Sequence, residues 1–140
     1  MTGLFALLGA LVVAGVLAWW LRSREGRIRS TGEPSPGAGL PDAVRNALAA
    51  GPAVTLVQIS TTFCAPCRHA RAVLNQLAGS TAGLSHVELD VTDRPEVAVS
   101  LGVLRTPTTV AFTSDGTELL RVGGVPKGGT LIDALRPHLP

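Results

Sequence analysis

Residues 53–67 read Ala-Val-Thr-Leu-Val-Gln-Ile-Ser-Thr-Thr-Phe-Cys-Ala-Pro-Cys. The first eight are β-prone and mostly apolar, the pattern of a strand buried on both faces of a sheet. A helix is predicted over 66–78, with Ala70, Val73, Leu74 and Leu77 on one face and Gly79 as its stop. The two cysteines of the chain, Cys64 and Cys67, therefore sit where a strand hands over to a helix. A thiolate at a helix N-terminus is favoured by the macrodipole and by free backbone N–H groups, which lowers its pKa below the free value of about 8.5. Pro66 fits the first turn, where its missing N–H is not needed. Cys67 lies one turn further on, close enough to close a disulfide. Two neighbouring cysteines staple nothing large, so the pair is read as chemistry and not as a structural brace.

Working outward, residues 86–91 alternate, with Val87, Leu89 and Val91 against His86, Glu88 and Asp90, as a strand does. Asp93 is placed to cap a short helix over 95–101 that Gly102 stops. Residues 108–112 and 118–122 form a hairpin about the turn Ser114-Asp115-Gly116-Thr117, and Gly123-Gly124 breaks it. A last helix is expected over 129–138, with Leu131, Ile132 and Leu135 inward. Upstream, Val44 and Leu48 mark a helix over 41–50. Strands alternating with helices imply parallel pairing, and the hairpin adds an antiparallel edge. The expected fold is α/β: a mixed four-stranded sheet with helices on both faces.

Before this domain, taken as 40–140, the sequence changes character. Residues 3–21 are an apolar run without charge, nearly long enough for a hydrocarbon core of roughly 30 Å. Trp19 and Trp20 end it, where indoles favour the interface, and Arg22, Arg24, Arg27 and Arg29 follow. No basic n-region precedes the run and no small-residue cleavage site follows, so 1–22 is read as an uncleaved transmembrane anchor, not a signal peptide. The arginine flank places the domain on the cytoplasmic side of a single-pass cell-membrane protein. Residues 23–39 are a basic juxtamembrane segment and then a Pro/Gly/Ser-rich run, expected to be a flexible linker. The net charge of +2 comes from residues 1–39. The domain itself is charge-balanced and carries no basic stripe, which argues against nucleic acid as a partner.

From residue 40 onward the chain resembles the thioredoxin family. The resemblance rests on Cys-Ala-Pro-Cys at a strand-to-helix junction, on Thr106-Pro107 before the third strand, on Gly102 five residues earlier, and on Gly123-Gly124 after the hairpin. It implies a thioredoxin-like fold and a protein-disulfide reductase with no cofactor beyond a reversible Cys64–Cys67 disulfide. Cys64 is then the nucleophile and Cys67 the resolving thiol. The resemblance further implies a cis Thr106–Pro107 peptide facing the cysteines. Phe63, Ala65, Pro66, Thr106 and Pro107 would contact a protein disulfide substrate, and an upstream dithiol or flavin-dependent reductant would restore the pair.

Four positions depart from the family pattern. Phe63 replaces a Trp, keeping an aromatic cover without the indole N–H. Gln58 replaces the buried Asp that serves the resolving thiol, and an amide is no base near neutral pH. Glu88 stands where a Lys is usual, so a carboxylate has moved one strand over; Glu88 is the candidate proton acceptor for Cys67. Ala72 replaces a helix-kinking Pro. Arg68 and His69 follow the pair, and Arg68 could favour a thiolate by charge, although such residues commonly form a solvated helix face. His86 and His138 read as surface residues.

Three rivals remain at this level. Cys64, Cys67 and His69 could begin a metal or metallochaperone site, but a structural zinc site wants four ligands. A redox-inert docking module would leave the cysteines without purpose. An outward-facing thioredoxin-like protein, acting on apocytochrome thiols or secreted chains, would require the opposite topology.

Overall fold

The computed structural model describes residues 2–24, 26–30, 39–49 and 51–140. The apolar run forms helix α1 (Thr2–Arg24), whose side chains from Leu4 onward are exposed throughout. It is long and apolar enough to cross a membrane, and the Arg24 guanidinium stacks on the Trp20 ring at 3.6 Å from its centroid.

The domain follows the expected order with one addition: β1 (Ile28–Ser30), α2 (Asp42–Leu48), β2 (Val54–Ser60), α3 (Ala65–Ser80), β3 (Leu84–Asp90), α4 (Pro95–Ser100), β4 (Thr108–Thr113), β5 (Glu118–Gly123) and α5 (Gly128–Leu135), closed by a 3₁₀ turn over Arg136–His138. The sheet runs β1-β5-β4-β2-β3. β2 pairs parallel with β3, while β4 pairs antiparallel with both β2 and β5. The expected sheet had four strands and the structure has five. The extra strand comes from the segment read as juxtamembrane linker: Ile28 lies opposite Val122 and Ser30 opposite Leu120. Three residues are too few to show a period, and only Ile28 is apolar. The Pro/Gly/Ser-rich stretch, 31–38, lies outside the described residues.

Period-two alternation sends the sheet's side chains into two cores. Val57, Ile59, Val110 and Phe112 pack with Val44 and Leu48 of α2 and Val97 of α4. Val54, Leu56, Ala111, Leu120 and Val122 pack on the other face, with Leu74 of α3 and Leu131 and Leu135 of α5. β2 is buried at all seven positions, as its composition predicts. Two local expectations differ. Gly79 does not stop α3, which runs on to Ser80. Asp93 does not cap α4; Arg94 occupies that position without a side-chain bond, and Pro95 alone starts the helix.

Candidate active site

Cys64 is the N-cap residue of α3, extended at φ −111° and ψ 99°, with Pro66 in the first turn. Its sulfur accepts a hydrogen bond from the Cys67 backbone N–H at 3.2 Å, so sulfur does the work that an oxygen does in an ordinary cap. The two cysteines are joined as a disulfide, with Cα atoms 5.2 Å apart. They are unequally placed: Cys64 is partly exposed and Cys67 is 2% exposed. An incoming sulfur therefore meets Cys64 first.

The loop that presents Cys64 is tied on two sides. The Thr62 N–H donates to Thr92 Oγ1 at 2.9 Å, and its hydroxyl donates to Asp90 at 3.1 Å. The Thr92 hydroxyl and N–H, together with Thr62, hold the Asp90 carboxyl below its ordinary value. The Thr61 and Thr106 hydroxyls lie 3.4 Å apart. This connects the cysteine loop to Thr106–Pro107, whose peptide bond is cis. Pro107 is buried, and its carbonyl accepts from the Gly124 N–H at 2.8 Å, which places the glycine pair beside it.

Ala65 and Pro66 are exposed beside the disulfide. Phe63 does not cover the pair: at 97% exposure it rests on nothing and stands as a free apolar surface, alongside Leu104 at 98%. Arg68 and His69 lie on the exposed face of α3.

Beneath the first turn of α3 the apolar face of the sheet is interrupted by a polar row. Thr109, Gln58 and Glu88 are register partners across β4, β2 and β3. Gln58 is fully buried. Its Nε2 donates to the Cys67 carbonyl at 2.9 Å, which turns Oε1 toward His86 Nε2 at 3.1 Å. His86 Nδ1 faces the Asn75 amide at 2.7 Å. His86 is therefore not a surface residue without a partner: it is half-buried and joins α3 to the Gln58 amide. Burial pushes its pKa down, helped by the Arg71 charge and opposed by Glu88. Glu88 pairs with Arg71 of α3, with Nε–Oε2 at 2.5 Å and Nη2–Oε1 at 2.9 Å. Burial works to raise the Glu88 carboxyl, but hydrogen bonds from Arg71 and Ser60 and the Arg71 and His86 charges outweigh it and hold it low.

Helix and strand spacing explain this double contact. Arg71 and Asn75 are four residues apart on α3, about 6 Å along its axis. Glu88 and His86 are two apart on β3, about 6.6 Å. The pairs match in antiparallel sense. That match was legible as a spacing, but only once α3 was known to lie over β3. Among the described residues no group of three or more His, Cys, Asp and Glu could hold a metal ion.

A strand-to-helix junction carrying a reversible disulfide, opposite a cis-proline loop, defines a protein built for thiol–disulfide exchange. The family model described as thioredoxin matches residues 41–136. Thioredoxin of Staphylococcus saprophyticus is 33% identical over 87 residues, covering 61% of this chain and 83% of its own. That of Staphylococcus epidermidis is 34% identical over the same length and coverage. Among solved structures, a mutant thioredoxin from Halobacterium salinarum superposes with TM-score 0.63 at 25% identity, covering 78% of this chain and 97% of its own. A thioredoxin from Nicotiana alata gives 0.58 at 25%, covering 80% and 100%. The chain belongs to the thioredoxin family, and it is a thiol–disulfide oxidoreductase.

Proposed function

We propose that this protein is a membrane-anchored reductase of protein disulfides, with its domain on the cytoplasmic side. The observation that carries the reductase reading is the unequal exposure of the two sulfurs at the start of α3. In the reduced enzyme the Cys64 thiolate attacks a substrate disulfide. A Cys64–substrate bond forms and one substrate thiolate leaves. Cys67, deprotonated, then attacks Cys64 sulfur, forming the Cys64–Cys67 disulfide and releasing the second substrate thiol. Two electrons and two protons pass to the substrate, and an upstream dithiol or flavin-dependent reductant restores the pair. Phe63, Ala65, Pro66, Thr106 and Pro107 are the proposed substrate contacts; the Thr106 backbone would pair with the substrate chain.

Glu88 is proposed as the proton acceptor for Cys67. It neighbours Gln58 in register and is ionised at neutral pH; the Arg71 pairing lowers its basicity, so taking the Cys67 proton requires that pairing to loosen. Gln58 can only hold the Cys67 carbonyl. Glu88→Gln should then slow resolution and alter its pH profile; unchanged exchange rates at every pH would remove Glu88 from the mechanism.

The anchor reading rests on the length and exposure of α1, and the sidedness on its arginine flank. Purified full chain in detergent, supplied with dithiothreitol, should catalyse insulin reduction, and Cys64→Ser should abolish it. Absence of catalysis in the unsubstituted chain would leave a docking module. In intact cells, only a membrane-permeant thiol reagent should label the reduced pair. Labelling by an impermeant reagent would turn the domain outward, toward cytochrome or secreted-protein thiols.

A further inference from the structure

The chain does not leave α1 on a loose tether. The Gly26 N–H donates to the Gly123 carbonyl at 3.0 Å, and β1 then zips onto β5. Gly26 takes φ +70°, and a Cβ there would stand 2.7 Å from the Val125 carbonyl oxygen, so this close approach requires glycine. Arg24 and Gly26 are two residue steps apart, a span of at most about 7 Å. The Pro/Gly/Ser-rich run at 31–38 does not separate helix from domain. It connects the edge strand to α2, both parts of one folded unit.

The end of the sheet at which this happens is decided by the register. Gly123 closes β5 and lies opposite Thr108, which opens β4; Thr108 lies opposite Ile59, near the end of β2. Cys64 follows four residues after Ser60. The next amide, Gly124 N–H, bonds the Pro107 carbonyl. The apolar helix thus enters the domain at its catalytic end, and the 114–117 turn lies at the other. Three strand spacings, about 14 Å, separate β1 from β2. This end also has the character of a headgroup-facing surface. Phe63 and Leu104 are fully presented, and Arg27, Arg105 and Lys127 are exposed on the β1–β5–β4 side, while the exposed carboxylates Asp90 and Asp93 lie on the far, β3 side.

We propose that the catalytic end is held facing the bilayer, and that the disulfide it reduces belongs to an integral membrane protein and lies within about 20 Å of the headgroups. This rests on the anchored-reductase reading above. The electron balance is the same: Cys64 and Cys67 thiols become a disulfide, the partner's disulfide becomes two thiols, and an external dithiol resets the pair.

The test uses the full chain in phosphatidylcholine–phosphatidylglycerol vesicles with dithiothreitol as donor. Two single-span peptides serve as probes. One carries a disulfide loop at the interface, the other carries it on a helical spacer of about 40 residues, some 60 Å away. The near disulfide should be reduced at least about tenfold faster, a preference set by access alone. Inserting about 20 Gly/Ser residues between Arg24 and Gly26 should bring the ratio close to one, and insulin reduction should not fall. Equal rates for the native chain, or a ratio the insertion does not alter, would overturn the proposal. A chain that fails to float with the vesicles would remove the anchor, and one that fails to reduce insulin would remove the reductase. Each overturns the proposal by its own route.

Discussion

Gln58 braces the first turn of α3 from below. It occupies a fully buried position under Cys67, and it is satisfied at both ends: by the Cys67 carbonyl and by His86. Truncating it to Ala would strand the imidazole N–H in a half-buried place and remove the brace on the α3 first turn. The expected loss is about 1–3 kcal/mol in urea unfolding, and an unchanged midpoint would show that the brace is idle. His86 makes a second claim testable. Its pKa is lowered in the fold, chiefly by burial, so the folded protein resists protonation that the unfolded chain accepts. Stability from this group is complete above about pH 6.5 and falls as pH drops below it. His86→Gln keeps a donor toward Gln58 and removes the titration, so the slope of unfolding free energy between pH 7.5 and 5.5 should flatten. An identical slope in the variant would place the titration elsewhere. The cysteines, Thr106-Pro107 and the substituted Gln58 were legible in the sequence because each sits at a fixed offset in a motif. His86 was not, because its partner Asn75 comes from a helix face that looks merely solvated until it is laid across β3.

At the scale of elements, the long periodic pieces declared themselves. β2 is mostly apolar and α3 has a clean inward stripe, and both stand where their patterns put them, within a residue or two. β1 escaped because a three-residue edge strand has no period of its own; its formation is dictated by the open edge of β5, a tertiary fact. Its contribution is measurable. Ile28 packs against the Leu120–Val122 core, and the strand satisfies an otherwise open ladder. A chain beginning at Gly26 should be about 1–3 kcal/mol more stable than one beginning at Leu40, by burial and by the ladder bonds. Equal stabilities in urea would make β1 ornamental. In the core proper, Leu74→Ala removes a fully buried side chain between α3 and the sheet and should cost about 2–5 kcal/mol. A smaller cost would mean that α3 can settle onto the sheet, and the Arg71–Glu88 and Asn75–His86 contacts should then shift with it.

At the scale of the molecule, the domain and its apolar helix are connected by one short stitch at the catalytic end, and the chemistry rests on an asymmetry between two sulfurs. The exposed one caps a helix and the buried one is held from below by Gln58. That asymmetry is tested by trapping. Full chain carrying Cys67→Ser, and separately Cys64→Ser, would be mixed with a stoichiometric peptide disulfide, quenched with acid and mapped by mass spectrometry. A stable peptide adduct on Cys64 is expected in the first variant and at least about a hundredfold slower adduct formation on Cys67 in the second, as burial blocks approach and access governs exchange. Adducts forming on both sulfurs at similar rates, or none on Cys64, would contradict it.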